Sequence, residues 1–180
     1  PAGSGKTTFA TQFAAEGLRL GESVIIVVFE EYPEDYLARA KARNQDIGSM
    51  IVPGNFRMIY LRPLDLSVDE TLAEILDGVG EIGATRVVID SLSGFEIALA
   101  PAFRKDFRES LYRLVGALTA TGVTICMTTE IVGGYPESSF TSERVSFITD
   151  DIVVQRFVEI DGVLRTVLAI HKMRGSAHSH

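Results

Sequence analysis

The chain has 180 residues, 46% of them hydrophobic and 23% charged, enough to bury the core of one domain and short for two. Its 17 Lys and Arg against 24 Asp and Glu give a net charge of -7, which argues against a large nucleic-acid footprint. The single cysteine, Cys126, excludes an internal disulfide and fits a reducing, cytoplasmic setting, and no apolar run reaches membrane-spanning length.

The chain opens on "PAGSGKTT", which follows the phosphate-loop pattern G-x-x-x-x-G-K-[ST] from its second position onward. The leading glycine, and a buried strand feeding the loop, are expected upstream of Pro1, so the sequence reads as an N-terminally shortened domain over 1–180. Glycines in such a loop let consecutive backbone N–H groups point inward at phosphate oxygens, and the helix that follows adds its positive end. On this reading Ala2, Gly3, Ser4 and Gly5 line an anion cradle. Lys6 neutralises charge on the β- and γ-phosphates, and the Thr7 hydroxyl takes one place on a magnesium ion. Thr8 completes the nucleotide-binding stretch with no separate role. A chance Gly/Ser turn is the competing reading. Against it stand Phe9, Ala10, Phe13, Ala14 and Leu20 at helical spacing, with Gly17 and Gly21 marking the helix end.

Downstream, short apolar runs alternate with amphipathic stretches, the pattern of an α/β fold with a mostly parallel sheet covered by helices. "SVIIVVF" (Ser23–Phe29) is β-branched and nearly continuous, as a strand buried on both faces should be. A helix is predicted from Pro33, with Glu34 and Asp35 in its first turn, to about Arg43. Met58–Leu61 is the next strand. Ser67 and Glu70 form an S-x-x-E capping box ahead of a helix from Val68 that carries Leu72, Ile75, Leu76 and Val79. Arg86–Asp90 is a strand ending in a carboxylate, Phe103–Thr121 a longer helix and Val123–Glu130 a further strand. Val132–Arg144, with its glycines, proline and serines, reads as a mobile loop. Ile152–Ile160 and Val163–His171 flank Asp161-Gly162, a strong hairpin signal.

Three further groups bear on the same phosphate. Asp90 ends its strand where a P-loop ATPase keeps the carboxylate that supports magnesium, and Ser91 beside it is placed to hydrogen-bond in the same shell. Glu30 and Glu31 end the neighbouring strand on the sheet's carboxyl edge, where open α/β folds bind ligands. A carboxylate there could orient or deprotonate an attacking water; equally, both acids favour the start of the following helix. In the tail, "HKMRGSAHSH", Lys172, Arg174 and His178 follow a strand. They suit either the stabilisation of transferring phosphate or a solvated basic end.

Because these pieces occur together and in order, the chain resembles the ATPase domain of the KaiC family, the circadian clock proteins and their relatives among the RecA-like P-loop ATPases. "PAGSGKTT" resembles the family's Walker A loop and "FEEYPEDYLARA" its strand with paired glutamates. "RVVIDSLSGF" is similar to its Walker B segment, and "VEIDG…HKMRGSAH" to its terminal hairpin and K-x-R-G-S-x-H signature. The resemblance spans nearly the whole chain. It implies a RecA-like fold closed by a C-terminal β-hairpin, ATP and Mg2+ as ligands, and hexameric rings with nucleotide between subunits and room for protein partners. By position it makes Glu30 and Glu31 the catalytic pair. Lys172 and Arg174 become residues that reach the neighbouring subunit's nucleotide, and His178 the signature histidine near them.

Two departures stand out. The clock protein carries two such domains in tandem and this sequence holds one. Where the autophosphorylating domain has an adjacent Ser-Thr pair, this chain has Ser146 and Phe147, which leaves Ser146 and nearby Thr141 as the possible phosphate acceptors. An ATPase in a ring is the first reading. An autokinase, a DNA-dependent RecA-like motor and a non-catalytic scaffold assembled by ATP are the alternatives.

Overall fold

A computed structural model describes residues 3–62, 67–99, 107–130 and 148–174. The chain divides into two compact units, Thr7–Thr129 on the one hand and Pro1–Lys6 with Glu130–His180 on the other.

The larger unit is built on a parallel sheet. β1 (Val24–Val28) is buried at all five positions. Such a strand has no solvent face, which is why its sequence does not alternate. It pairs in parallel with β2 (Phe56–Tyr60) on one side and β3 (Arg86–Asp90) on the other, and β3 pairs with β4 (Thr124–Met127), giving the order β2-β1-β3-β4. Successive side chains then serve opposite faces. Val24, Ile26, Val28 and Val88 pack with Ala10, Ala14 and Leu18 of α1 (Lys6–Arg19), Tyr36 of α2 (Pro33–Ala42) and Ile47 of a 3-10 turn, Ile47–Met50. On the opposite face Ile25 and Ile59 meet α3 (Val68–Ile82) at Gly78, where a Cβ would stand 3.2 Å and 3.1 Å from their Cδ1 atoms. α4 (Leu92–Ala98) buries Phe95, and α5 (Phe107–Ala120) buries Leu111, Leu114 and Leu118. Cys126 packs at the edge of the first cluster, and burial pushes its thiol up to about 11, leaving it protonated at neutral pH.

Most predicted boundaries hold, and the exceptions have physical causes. Gly17 lies inside α1 rather than at its end, because a Cβ there would stand 2.7 Å from Arg86 Cδ; the helix stops before Gly21 at φ +80°. β2 starts at Phe56, before the expected Met58. Arg57 interrupts the apolar run and pairs with Glu74 and Glu81 of α3. β4 ends earlier than the expected Glu130, and α4, seven residues long, is too short to show a helical period. The expected start of α5 at Phe103, and the segment Val132–Arg144, lie outside the described residues.

The capping box at α3 is present in full. Ser67 Oγ accepts from the Glu70 N–H at 3.1 Å, and Glu70 Oε2 accepts from the Ser67 N–H at 3.3 Å. Ser67→Ala is expected to cost about 1 kcal/mol in urea unfolding. An unchanged midpoint would mean that water satisfies the same donors.

The smaller unit contains an antiparallel hairpin, β5 (Asp151–Ile160) with β6 (Val163–Met173). Its turn places Asp161 at φ +52° and Gly162 at φ +74°. Two consecutive positive φ values define the tight turn whose twist matches the strands, which is why Asp-Gly signalled it. Among the described residues, no helix is long and apolar enough to cross a membrane.

Candidate functional site

In the smaller unit the loop has the backbone that its glycines predicted. Gly3 is at φ +75° and Gly5 at φ +100°, conformations that an L side chain would strain. Between them Ser4 is 3% exposed, and its Oγ is buried with no hydrogen-bond partner among the described residues. A buried hydroxyl without a partner costs free energy, and an anionic oxygen supplies the acceptor it lacks. Lys6 starts α1, and its Nζ lies 3.1 Å from Glu130 Oε1. The amide of Gln155 on β5 also borders the loop, 3.9 Å from where a Cβ on Gly5 would stand, and its Oε1 is likewise buried without a partner among the described residues.

In the larger unit the parallel register sets the carboxylates on one edge. Val28, the last residue of β1, sits opposite Asp90, the last of β3, so Glu30 and Glu31 leave the sheet beside Asp90. The Thr128 hydroxyl donates to Asp90 Oδ1 at 2.5 Å and fixes that carboxylate. Glu31 is ion-paired with Arg39, whose guanidinium also lies over the Tyr36 ring at 5.9 Å. Burial pushes the Glu31 carboxyl above the usual range; Arg39 pulls it down, while Asp90 and Asp35 push it further up. Glu30 is more exposed and lies against α4, with Oε1 3.0 Å from where a Cβ on Gly94 would stand.

Other expected residues have identifiable local roles. Ser91 caps α4, its Oγ accepting from the Gly94 N–H at 3.0 Å. The Asp90–Ser91 peptide is cis. The carbonyl of Thr7 accepts from the Thr11 hydroxyl at 2.7 Å, and Thr11 is in turn hydrogen-bonded to the Tyr36 hydroxyl at 2.8 Å. Thr8 ties the start of α1 to the end of α2, since Gln45 Nε2 donates to its carbonyl at 3.0 Å and Arg43 Nη1 approaches its hydroxyl at 3.4 Å. In the smaller unit Lys172 Nζ donates to the Thr149 carbonyl at 2.5 Å, and Arg174 faces Asp150 at 3.8 Å. Ala2, Thr141, Ser146, Phe147 and His178 lie outside the described residues.

Two residues of this region were missed from sequence. Glu130 had a readable signal, a third strand-end acid after "TT", like those after β1 and at the end of β3. Gln155 had none, being one polar residue inside an expected strand.

A model of the family described as "ATPase: KaiC" matches residues 1–180. The chain belongs to the KaiC ATPase family. It is 30% identical over 177 residues to the circadian clock protein KaiC3 of a Synechocystis species, with 98% of this chain and 34% of that protein covered. To the circadian clock oscillator protein KaiC of Synechococcus elongatus it is 31% identical over 192 residues, covering 98% of this chain and 35% of that one. It thus spans about a third of the length of these KaiC relatives. The crystal structure of a KaiC-like protein from the hyperthermophilic archaeon Pyrococcus horikoshii matches it with a TM-score of 0.85 at 30% identity, over 99% of this chain and 78% of that one. The KaiC-like RecA fold expected from the motifs is therefore the fold observed.

Proposed function

We propose that this KaiC-family domain binds and hydrolyses ATP within a hexameric ring, in a cytoplasmic signalling or clock-related role that includes protein partners. The observation that carries the reading is the buried Ser4 hydroxyl, without a partner among the described residues, between two positive-φ glycines directly ahead of the N-terminus of α1. A curled loop at a helix start, with a donor unused among the described residues, suits an anion.

In this scheme the loop from Ala2 to Gly5 holds the phosphates through its N–H groups, and Lys6 balances their charge. Thr7 and Asp90 would hold Mg2+, which supplies further neutralisation of phosphate charge. Asp90 suits that task because Thr128 already fixes one of its oxygens. Glu31 orients the attacking water and accepts its proton as the new oxygen–phosphorus bond forms and the bond to the β–γ bridging oxygen breaks, leaving ADP and phosphate. Glu30 supports it from the same edge. Lys172 and Arg174 of a neighbouring copy, with His178 beside them, stabilise the charge developing on the γ-phosphate.

Phosphate release measured with and without DNA, together with intact mass after incubation with MgATP, tests this. Release without DNA and without mass gain is expected. Phosphate retained on the protein would favour the autokinase, DNA stimulation the motor, and binding without release the scaffold.

The state of Glu31 makes a pH prediction. Its folded carboxyl titrates above the ordinary value, so the base is protonated, and turnover lost, at a higher pH than for an exposed glutamate. The same raised pKa means that its contribution to folding is present at low pH and lost as pH rises through it. Arg39→Ala removes the cation that opposes burial and should move the acid limb of kcat upward. An unmoved limb would assign the limb to another group.

A further inference from the structure

We propose that Glu130 is a positioning residue for Lys6 which incoming nucleotide phosphate must displace, so that it tempers nucleotide affinity and speeds ADP departure. This rests on the nucleotide reading of the loop. The two residues are 124 apart in sequence, so the fold rather than local geometry brings them together at 3.1 Å. Lys6 keeps only 20% of its side chain exposed, and an ammonium so placed needs a compensating anion when no phosphate is there. Glu130 supplies it. Once phosphate arrives, a carboxylate beside the same ammonium would face several like charges.

The strength of the pair fits a displaceable contact. Glu130 is 43% exposed, and ion pairs with that much solvent contribute little. A phosphate with several charges and the N–H groups of the loop outcompetes it. The exchange still costs the nucleotide whatever the pair was worth. After hydrolysis, the carboxylate is on hand to reclaim Lys6 as ADP leaves.

The test measures binding of ADP, and dissociation of a fluorescent ADP analogue, for the full chain with magnesium. Glu130→Gln should bind about two- to fivefold tighter and release ADP more slowly by a similar factor, the range of a partly exposed ion pair. Glu130→Asp, which keeps the charge with a shorter reach, should fall between. In a Lys6→Ala background the gain from Glu130→Gln should vanish, because no ammonium is left to release. Unchanged or weaker ADP binding by Glu130→Gln, with thermal unfolding unaltered, would overturn the proposal. If that variant is destabilised, Glu130→Asp decides instead: ADP bound more tightly than by the wild type supports the proposal, and unchanged or weaker binding overturns it. A wild-type chain that binds neither ADP nor inorganic pyrophosphate would remove the nucleotide reading itself, and this proposal with it.

Discussion

The double substitution Glu30→Gln with Glu31→Gln is expected to lower ATP turnover about 10²–10⁴-fold, the usual contribution of a positioned base, with nucleotide binding retained. Gln keeps the shape and removes the charge, so the effect reports chemistry rather than packing. The single variants should separate the roles. Glu31 is half-buried, electrostatically coupled to Asp90 and raised in pKa, which suits a group that must accept a proton. Glu30 is more exposed and braced against α4, so its loss should cost less. Wild-type turnover in the double variant would leave the pair as acids that favour the start of α2.

Phe95→Ala should be among the most damaging core changes, costing about 3–5 kcal/mol of stability. Its ring is fully buried and packs at 5.5 Å from Phe29 and 5.7 Å from Phe107, so truncation opens a void between the sheet and two helices. In a chain of this size the loss corresponds to a fall in Tm on the order of 10 °C. A second consequence distinguishes this position from other core sites. Phe29 immediately precedes Glu30, and Glu30 Oε1 lies 3.0 Å from where a Cβ on Gly94, the neighbour of Phe95, would stand. Turnover of the remaining folded protein should therefore drop as well. Leu118→Ala, an equally buried change on α5, should reduce stability without that added loss. Equal specific activity in the two variants would show that Phe95 serves stability alone.

What could be read from sequence follows from where the information is local. The loop glycines, the capping box and the Asp-Gly turn each depend on residues within a few positions, and all three appear as expected. β1 was legible because full burial demands an unbroken apolar run, and β3 because its three central residues are buried and apolar. The strand Phe56–Tyr60 was blurred by Arg57, whose partners lie on α3, and nothing in the local pattern reveals them. Gly17 looked like a helix stop because its true cause, the Arg86 side chain, is distant in sequence. Within the site, the carboxyl-edge location of Glu30, Glu31 and Asp90 could be inferred from strand order alone. The Lys6–Glu130 pair and the Thr128 bond to Asp90 could not, because both join segments brought together only by folding.

The full burial of β1 also carries a kinetic meaning. Amide protons of Val24–Val28 are locked in ladders on both sides, to β2 and to β3, beneath helices on each face. No small fluctuation can bring water to them, so deuterium should enter this strand only when the whole larger unit opens. The β5–β6 ladder, a single pair with many exposed apolar side chains, has no such cover among the described residues and should take up label through cheaper openings. Time-resolved labelling would then trace a gradient along the sequence. The strand leading to the paired glutamates would exchange late, giving those acids a firmer support than a lone hairpin would supply.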